Sequence, residues 1–226
     1  MRYLTLLVLA GSLLAAIALT GCNIVGPVAA VVAGPGEIEA EYRLEDRPTV
    51  VFVDDRRNKV NPVALRRVIA DRVTEDLMRR NLVSQMISPN DAMSYAAAHD
   101  SAKDIMPIEV VGRAVGAEQV IFIEMLEFAD QTADQRSRGV ASFQVRVIDV
   151  ANRQRLFPAG GGNGGPSSGS ARVLQANTLD LSPDMYQSRA MRSQVREMLA
   201  HEVGDRTAKL FYKHEARDLG GRLEPR

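Results

Sequence analysis

The chain has one cysteine, no tryptophan, three histidines and only 5% aromatic residues. A lone cysteine excludes an intramolecular disulfide and a cysteine metal cluster, so the fold must be held by its core alone. Scarce aromatics leave no stacking platform for single-stranded nucleic acid. The 28 basic residues are balanced by 28 acidic ones, and pairs such as Arg56-Arg57 and Arg79-Arg80 sit among acids instead of forming a one-signed field. A nucleic-acid partner is therefore not indicated. After Leu19 no segment approaches the ~20 apolar residues that a membrane-spanning helix requires.

What the chain does have begins at its first residues. Arg2 is followed by an almost uninterrupted apolar run from Leu4 to Leu19, closing on Leu19-Thr20-Gly21-Cys22. A charged start, a short apolar stretch and small residues at its end form a secretory signal peptide, residues 1–21. Leu-Thr-Gly-Cys resembles the lipobox of bacterial lipoproteins. That resemblance implies cleavage before Cys22, acylation of its thiol (palmitate being a usual chain) and a protein anchored to membrane lipid. Two or three acyl chains, at about 0.8 kcal/mol per buried methylene, anchor stably where one is reversible. In the sorting pattern of two-membrane bacteria, Asn23 in place of Asp implies the outer membrane, on its periplasmic face. Cleavage removes Arg2 and no acid, leaving 27 basic against 28 acidic residues.

Residues 22–46 read as a lipid-proximal tether. Gly26, Pro27, Gly34, Pro35 and Gly36 interrupt any helix, and Ile38, Ala40, Tyr42 and Leu44 then alternate with charges, as in a strand edge or extended arm. The body is assigned to 47–215. Thr49 to Val53 is a short β-branched run suited to a buried strand. Asn61-Pro62 supplies a cap and first-turn proline for a helix marked by Leu65, Val68, Ile69, Val73 and Leu77. A short strand at Val83–Ile87, a helix from Ser88-Pro89 to about His99, a third helix from Pro107 to Gly116 and a strand over Glu118–Met125 follow. Val140 to Val150 alternates as a half-exposed strand, turns at Asp149–Arg153 and returns through Arg155-Leu156-Phe157. From Ser182-Pro183 a helix carries Met191, Val195, Met198, Leu199, Val203, Leu210 and Phe211 on its buried stripe; Gly204 costs on the order of 1 kcal/mol against Ala, so the helix can break there. This order predicts one α/β domain: a mixed sheet of about four to five strands with helices packed on it. Residues 216–226 form a tail.

Three patterns resemble a group of envelope lipoproteins that includes the curli-secretion lipoprotein, the lipoprotein activators of penicillin-binding proteins and the N-terminal domain of the Tol-system propeller protein. They are Val50–Val53 with the Leu65–Leu82 helix, Val111 to Ile121 with its Gly-Ala-acidic turn, and Val145 to Val150 with its return strand. The resemblance spans residues 48–158. It implies a small α/β module that works by binding other envelope proteins, with no catalytic motif to carry over.

Candidate chemistry is sparse. His201-Glu202-Val203-Gly204-Asp205 lacks the second His of a zinc-protease helix, and only His99 and His214 remain as distant nitrogen ligands. The Gly/Ser-rich tract at 159–171 has no Lys-Ser/Thr opening a helix, so it reads as a flexible insertion and not a phosphate loop. It has no large apolar side chain to offset about 1–2 kcal/mol of backbone entropy per ordered residue, and is expected to be disordered and dispensable. Asp54-Asp55, just past the first strand, are expected to be solvated turn charges neutralised by Arg56, Arg57 and Lys59. Ser84, Ser142 and Ser193 lie in no nucleophile-elbow context. No catalytic, cofactor or metal residue is assigned; Cys22 is the one functional residue assigned. The reading is a non-catalytic, lipid-tethered adaptor of the cell envelope. The alternatives are a subunit of an oligomeric secretion pore and a hydrolase using Asp54-Asp55 or the His201 region.

Overall fold

The structure, a computed structural model, describes residues 36–55, 58–100, 105–133, 136–159 and 171–216. The signal peptide, Cys22, most of the Gly/Ser-rich tract and the end of the tail lie outside the described residues. Two units are distinguished, 40–212 and a small one formed by 36–39 with 213–216. The small unit is a ribbon in which β1 (Glu37–Ile38) pairs antiparallel with β8 (His214–Glu215), with Lys213 bridging Glu37 and Glu39.

In the larger unit β2 (Thr49–Asp54) is the buried strand its composition predicts, and it runs parallel to both β3 (Met86–Ile87) and β4 (Gln119–Ala133). Helix α1 (Ala64–Arg79) joins β2 to β3. It starts after the Asn61-Pro62 pair, with Val63 at the cap position and the first turn closed by Leu65 N–H to the Pro62 carbonyl instead of an Asn61 side chain. It ends where Asn81 takes a left-handed φ of 53° and Leu82 N–H returns to the Leu77 carbonyl, a stop that Asn tolerates better than branched residues do. Helices α2 (Pro89–His99) and α3 (Ile108–Ala114) carry the chain from β3 to β4.

β4 then forms a long antiparallel hairpin with β5 (Arg136–Asp149), well beyond the Glu118–Met125 strand expected. Two short strands share the other side of β5: β6 (Gln154–Phe157) beside its end and β7 (Arg172–Asn177) beside its middle. The sheet is thus mixed and six-stranded, in the order β3-β2-β4-β5 with β6 and β7 one after the other along the free side of β5. β7 is the strand that the sequence reading lacks. The C-terminal helix is divided by Gln187-Ser188 into α4 (Pro183–Tyr186) and α5 (Arg189–Ala208), and a 3-10 turn (Lys209–Phe211) follows.

One face of the sheet packs on α1 and α5. Val51, Val53, Ile121, Ile123, Phe143, Val145 and Val147 meet Leu65, Ile69, Val73, Leu77, Leu199 and Val203, all buried. Each fully buried side chain of this kind contributes about 1.5–3 kcal/mol. Tyr42 and Leu44, read as part of an extended arm, pack against this core. Met198 departs from the expected stripe: it is 40% exposed, since Val195, Leu199 and Val203 define the buried side. Gly204 does not break α5. A Cβ there would lie 2.8 Å from Cβ and Cγ of Arg72 and 3.1 Å from the Ile69 carbonyl, so glycine permits the close crossing of α1 and α5.

Among the described residues the second face is covered over only part of its length. Ala92 and Ala96 of α2 and Ile108 and Val111 of α3 bury Val50, Val120, Phe122 and Ile148. The alternation along β5 records where that cover stops. From Arg136 to Val145 buried side chains alternate with exposed or half-buried ones, and from Arg146 to Asp149 every side chain is buried.

Candidate functional site

Beyond the edge of α2 and α3, the second face of the sheet presents Glu124, Val140, Ser142 and Gln144, half-buried, and the exposed Glu127, Val173, Gln175 and Asn177. Strand alternation puts them there, because their neighbours Phe143, Val145 and Ala176 point into the core. At the margin lie two aromatic rings, Phe52 and Phe122, stacked with centroids 6.1 Å apart.

Arg146 sits at this margin and is only 6% exposed, against its expected place on the polar side of a half-exposed strand. Its guanidinium lies over the Phe122 ring, 5.5 Å from the centroid. Nη2 donates to Glu124 Oε2 at 2.9 Å and to Gln144 Oε1 at 3.0 Å, while Nε is buried without a partner. Burial of an arginine is tolerated when paired, and here one nitrogen does all the pairing. An Arg between Val145 and Val147 and a Glu between Ile123 and Met125 were the available sequence signal, but only the pairing of β4 with β5 brings them together.

The Asp54-Asp55 pair is not a solvated turn. Asp55 is 4% exposed and its two oxygens accept Lys59 N–H (2.7 Å) and Val60 N–H (2.8 Å), with Arg66 Nη2 at 3.3 Å. Asn58 takes a left-handed φ of 52° and returns its N–H to the Asp55 carbonyl, and the carboxylate is met by two backbone amides and a helix arginine. Asp54, half-buried at the end of β2 opposite Glu124 on β4, is also engaged. These contacts brace the β2–α1 loop.

The His201 stretch lies on α5 with Leu199 and Val203 buried, as the helical pattern predicts. His201 is exposed, Glu202 accepts from Arg206 (2.7 Å) and Asp205 accepts from Arg72 of α1 (2.6 Å). His99 is held elsewhere by its ring against Tyr95, and His214 belongs to the ribbon. Among the described residues no three His, Cys, Asp or Glu side chains converge on a point where a metal ion could be held. No helix among them is long and apolar enough to cross a membrane.

Two further charged clusters fasten elements together. Asp76, buried in α1, accepts from the Tyr212 hydroxyl at 2.6 Å and from Arg79, with Arg80 nearby and its guanidinium 3.7 Å above the Tyr212 ring. Burial raises the Asp76 pKa, but the Tyr212 and Arg79 hydrogen bonds outweigh it and hold the carboxyl below its usual range; burial and Asp76 push Tyr212 up to about 12. At the β5–β6 turn Asp149 accepts from Asn152 N–H (2.8 Å) and Arg47 (3.0 Å), which together overcome its burial and depress its pKa.

No family model and no curated protein matches the sequence. Among solved structures the chain is similar to lipoprotein GNA1162 from Neisseria meningitidis, with 12% identity and a TM-score of 0.41 over 67% of this chain and 94% of that one. It is also similar to the PelC dodecamer from Paraburkholderia phytofirmans, with 13% identity and a TM-score of 0.38 over 82% and 99% of the two chains. TolB from Acinetobacter baumannii shares 15% identity at a TM-score of 0.30, over 74% of this chain and 31% of that one. At these values the likeness assigns neither a partner nor an activity to this chain.

Proposed function

We propose that the protein is an exported accessory protein of the bacterial cell envelope, anchored by acyl chains on Cys22, which binds another envelope protein and assists its assembly or regulation. The observation that carries the binding role is the one-sided cover of the β4–β5–β7 sheet. Among the described residues its uncovered side combines the half-buried Phe52 ring at the margin with Val140, Val173, Ser142 and Gln175, an aromatic beside apolar and hydrogen-bonding groups that suits a protein interface. The signal peptide and the Leu-Thr-Gly-Cys sequence support export and lipid attachment, and Asn23 supports the outer membrane as the destination.

A photo-crosslinking amino acid placed at Ser142 or Gln175 in the full-length protein, expressed in its own host, tests the reading. A discrete crosslinked protein should form from these two positions and not from Arg67 on the exposed side of α1. Equal crosslinking from all three positions, or none, would overturn it. Cys22→Ser should move the protein from the membrane to the soluble periplasmic fraction, and retention on the membrane would refute the anchor.

A further inference from the structure

Arginine binds carboxylates best along the edge formed by Nε and Nη2, whose parallel N–H groups match the two oxygens. At Arg146 that edge is half used. Glu124 meets it through Oε2 on Nη2 alone, Gln144 shares the same nitrogen, and Nε is desolvated with no acceptor. A buried donor without a partner is unfavourable and uncommon in folded proteins. It lies where the second helix layer ends, at the margin of the open face and beside the Phe52–Phe122 stack.

We propose that the Nε–Nη2 edge of Arg146 is a receptor for a carboxylate joined to an apolar group, and that Glu124 is its built-in competitor. The incoming carboxylate takes both N–H groups. Glu124, whose side chain is 33% exposed, turns out to water, and the Gln144 amide rotates to offer N–H instead of C=O. The apolar part of the ligand rests on the half-buried Phe52 ring. The inference rests on the open face being the partner surface, which makes the ligand an acidic side chain or a chain-terminal carboxylate of that partner. Repulsion between Glu124 and the ligand keeps the wild-type affinity low, so removing the competitor's charge strengthens binding.

The test follows the Arg146 side-chain Nε–Hε resonance by NMR as probes are added. N-acetylphenylalanine supplies a terminal carboxylate, N-acetylglutamate α-amide a side-chain carboxylate, and N-acetylphenylalanine amide neither. At least one carboxylate should shift the resonance in the wild type, and Glu124→Gln should bind it at least tenfold tighter. The amide should have no effect, and Arg146→Lys should abolish binding. Which carboxylate binds identifies the source. If neither shifts the resonance in wild type or Glu124→Gln, or if the amide works as well, the receptor does not exist and Nε is served by water. The Glu124→Gln arm decides the matter even if Arg146→Lys fails to fold. Crosslinking from Ser142 and Gln175 that persists undiminished in a folded Arg146→Lys protein refutes this receptor while leaving the open-face reading intact. Carboxylate binding without any crosslinked partner does the reverse.

Discussion

Replacing Gly204 by Ala sets two effects of opposite sign against each other. Within a helix Ala is favoured over Gly by about 1 kcal/mol, so an isolated α5 would gain from the change. In the folded protein the new methyl carbon stands 2.8 Å from both Cβ and Cγ of Arg72 and 3.1 Å from the Ile69 carbonyl oxygen. Arg72 Cβ is fixed to the α1 backbone, so relief requires the two helices to part, and overpacking of this kind costs typically about 1–3 kcal/mol. Parting also stretches the Arg72–Asp205 ion pair, now 2.6 Å. The clash wins, giving a net loss of about 1 kcal/mol and a fall in Tm of about 2–4 °C for a domain of this size. Urea denaturation of the wild type, Gly204→Ala and the double variant with Arg72→Ala checks it. Arg72→Ala removes Cγ but not Cβ, so the loss caused by Gly204→Ala should be smaller in that background, not abolished. A Gly204→Ala protein about 1 kcal/mol more stable than wild type would show that the helices do not approach as described.

Tyr212 titrates near 12 in the fold against 10 in an unfolded chain, so its contribution is complete below pH 10 and roughly 2–3 kcal/mol of it is lost as pH rises through 12. Tyr212→Phe should flatten this alkaline fall in stability and cost about 1–3 kcal/mol at neutral pH, because Asp76 loses a buried donor. Asp55→Ala strands two backbone amides and Arg66 and should cost roughly 2–4 kcal/mol by chemical denaturation, whereas a loss under 0.5 kcal/mol would mean that the loop is not braced there. Replacing residues 159–171 by a short Gly-Ser turn should leave Tm within a few degrees, since loop closure entropy changes by only about 0.6 kcal/mol per doubling of length; a sharp fall would show that the tract is structured.

The elements with strong local periodicity were legible in the sequence. Thr49–Val53, the Leu65–Leu77 helix and the turn at Asp149–Arg153 all lie where apolar spacing and turn residues put them. β7 was not, because Arg172-Val173-Leu174-Gln175-Ala176-Asn177 alternates weakly and follows a Gly/Ser tract; its place comes from pairing with Val140–Val145. The candidate site was the least legible part. Arg146 and Glu124 are twenty-two residues apart in alternating patterns, and only the pairing of β4 with β5 sets the Phe122 ring and the Glu124 carboxylate against Arg146. Asp55 departs from its expectation for the same reason: a carboxylate beside arginines looks solvated in sequence, and it is contacts from Lys59, Val60 and Arg66 that enclose it. Gly204 shows the converse, where intrinsic propensity pointed to a break and helix packing required the small residue.

The pairing of β1 with β8 brings the two ends of the described chain together. The Gly36 carbonyl accepts the Ala216 amide at 2.6 Å, and Glu37 stands opposite Glu215, so the two ends of the described chain leave side by side. A linker of a few residues joining 216 to 36 would make the backbone a closed ring without disturbing any strand pairing. Circular permutants could then be opened elsewhere, and the Gly/Ser tract is the place its composition recommends. A lipid anchor placed at that new opening would enter the chain between β6 and β7 instead of ahead of β1, so the point of attachment could be moved along the chain with every strand pairing kept.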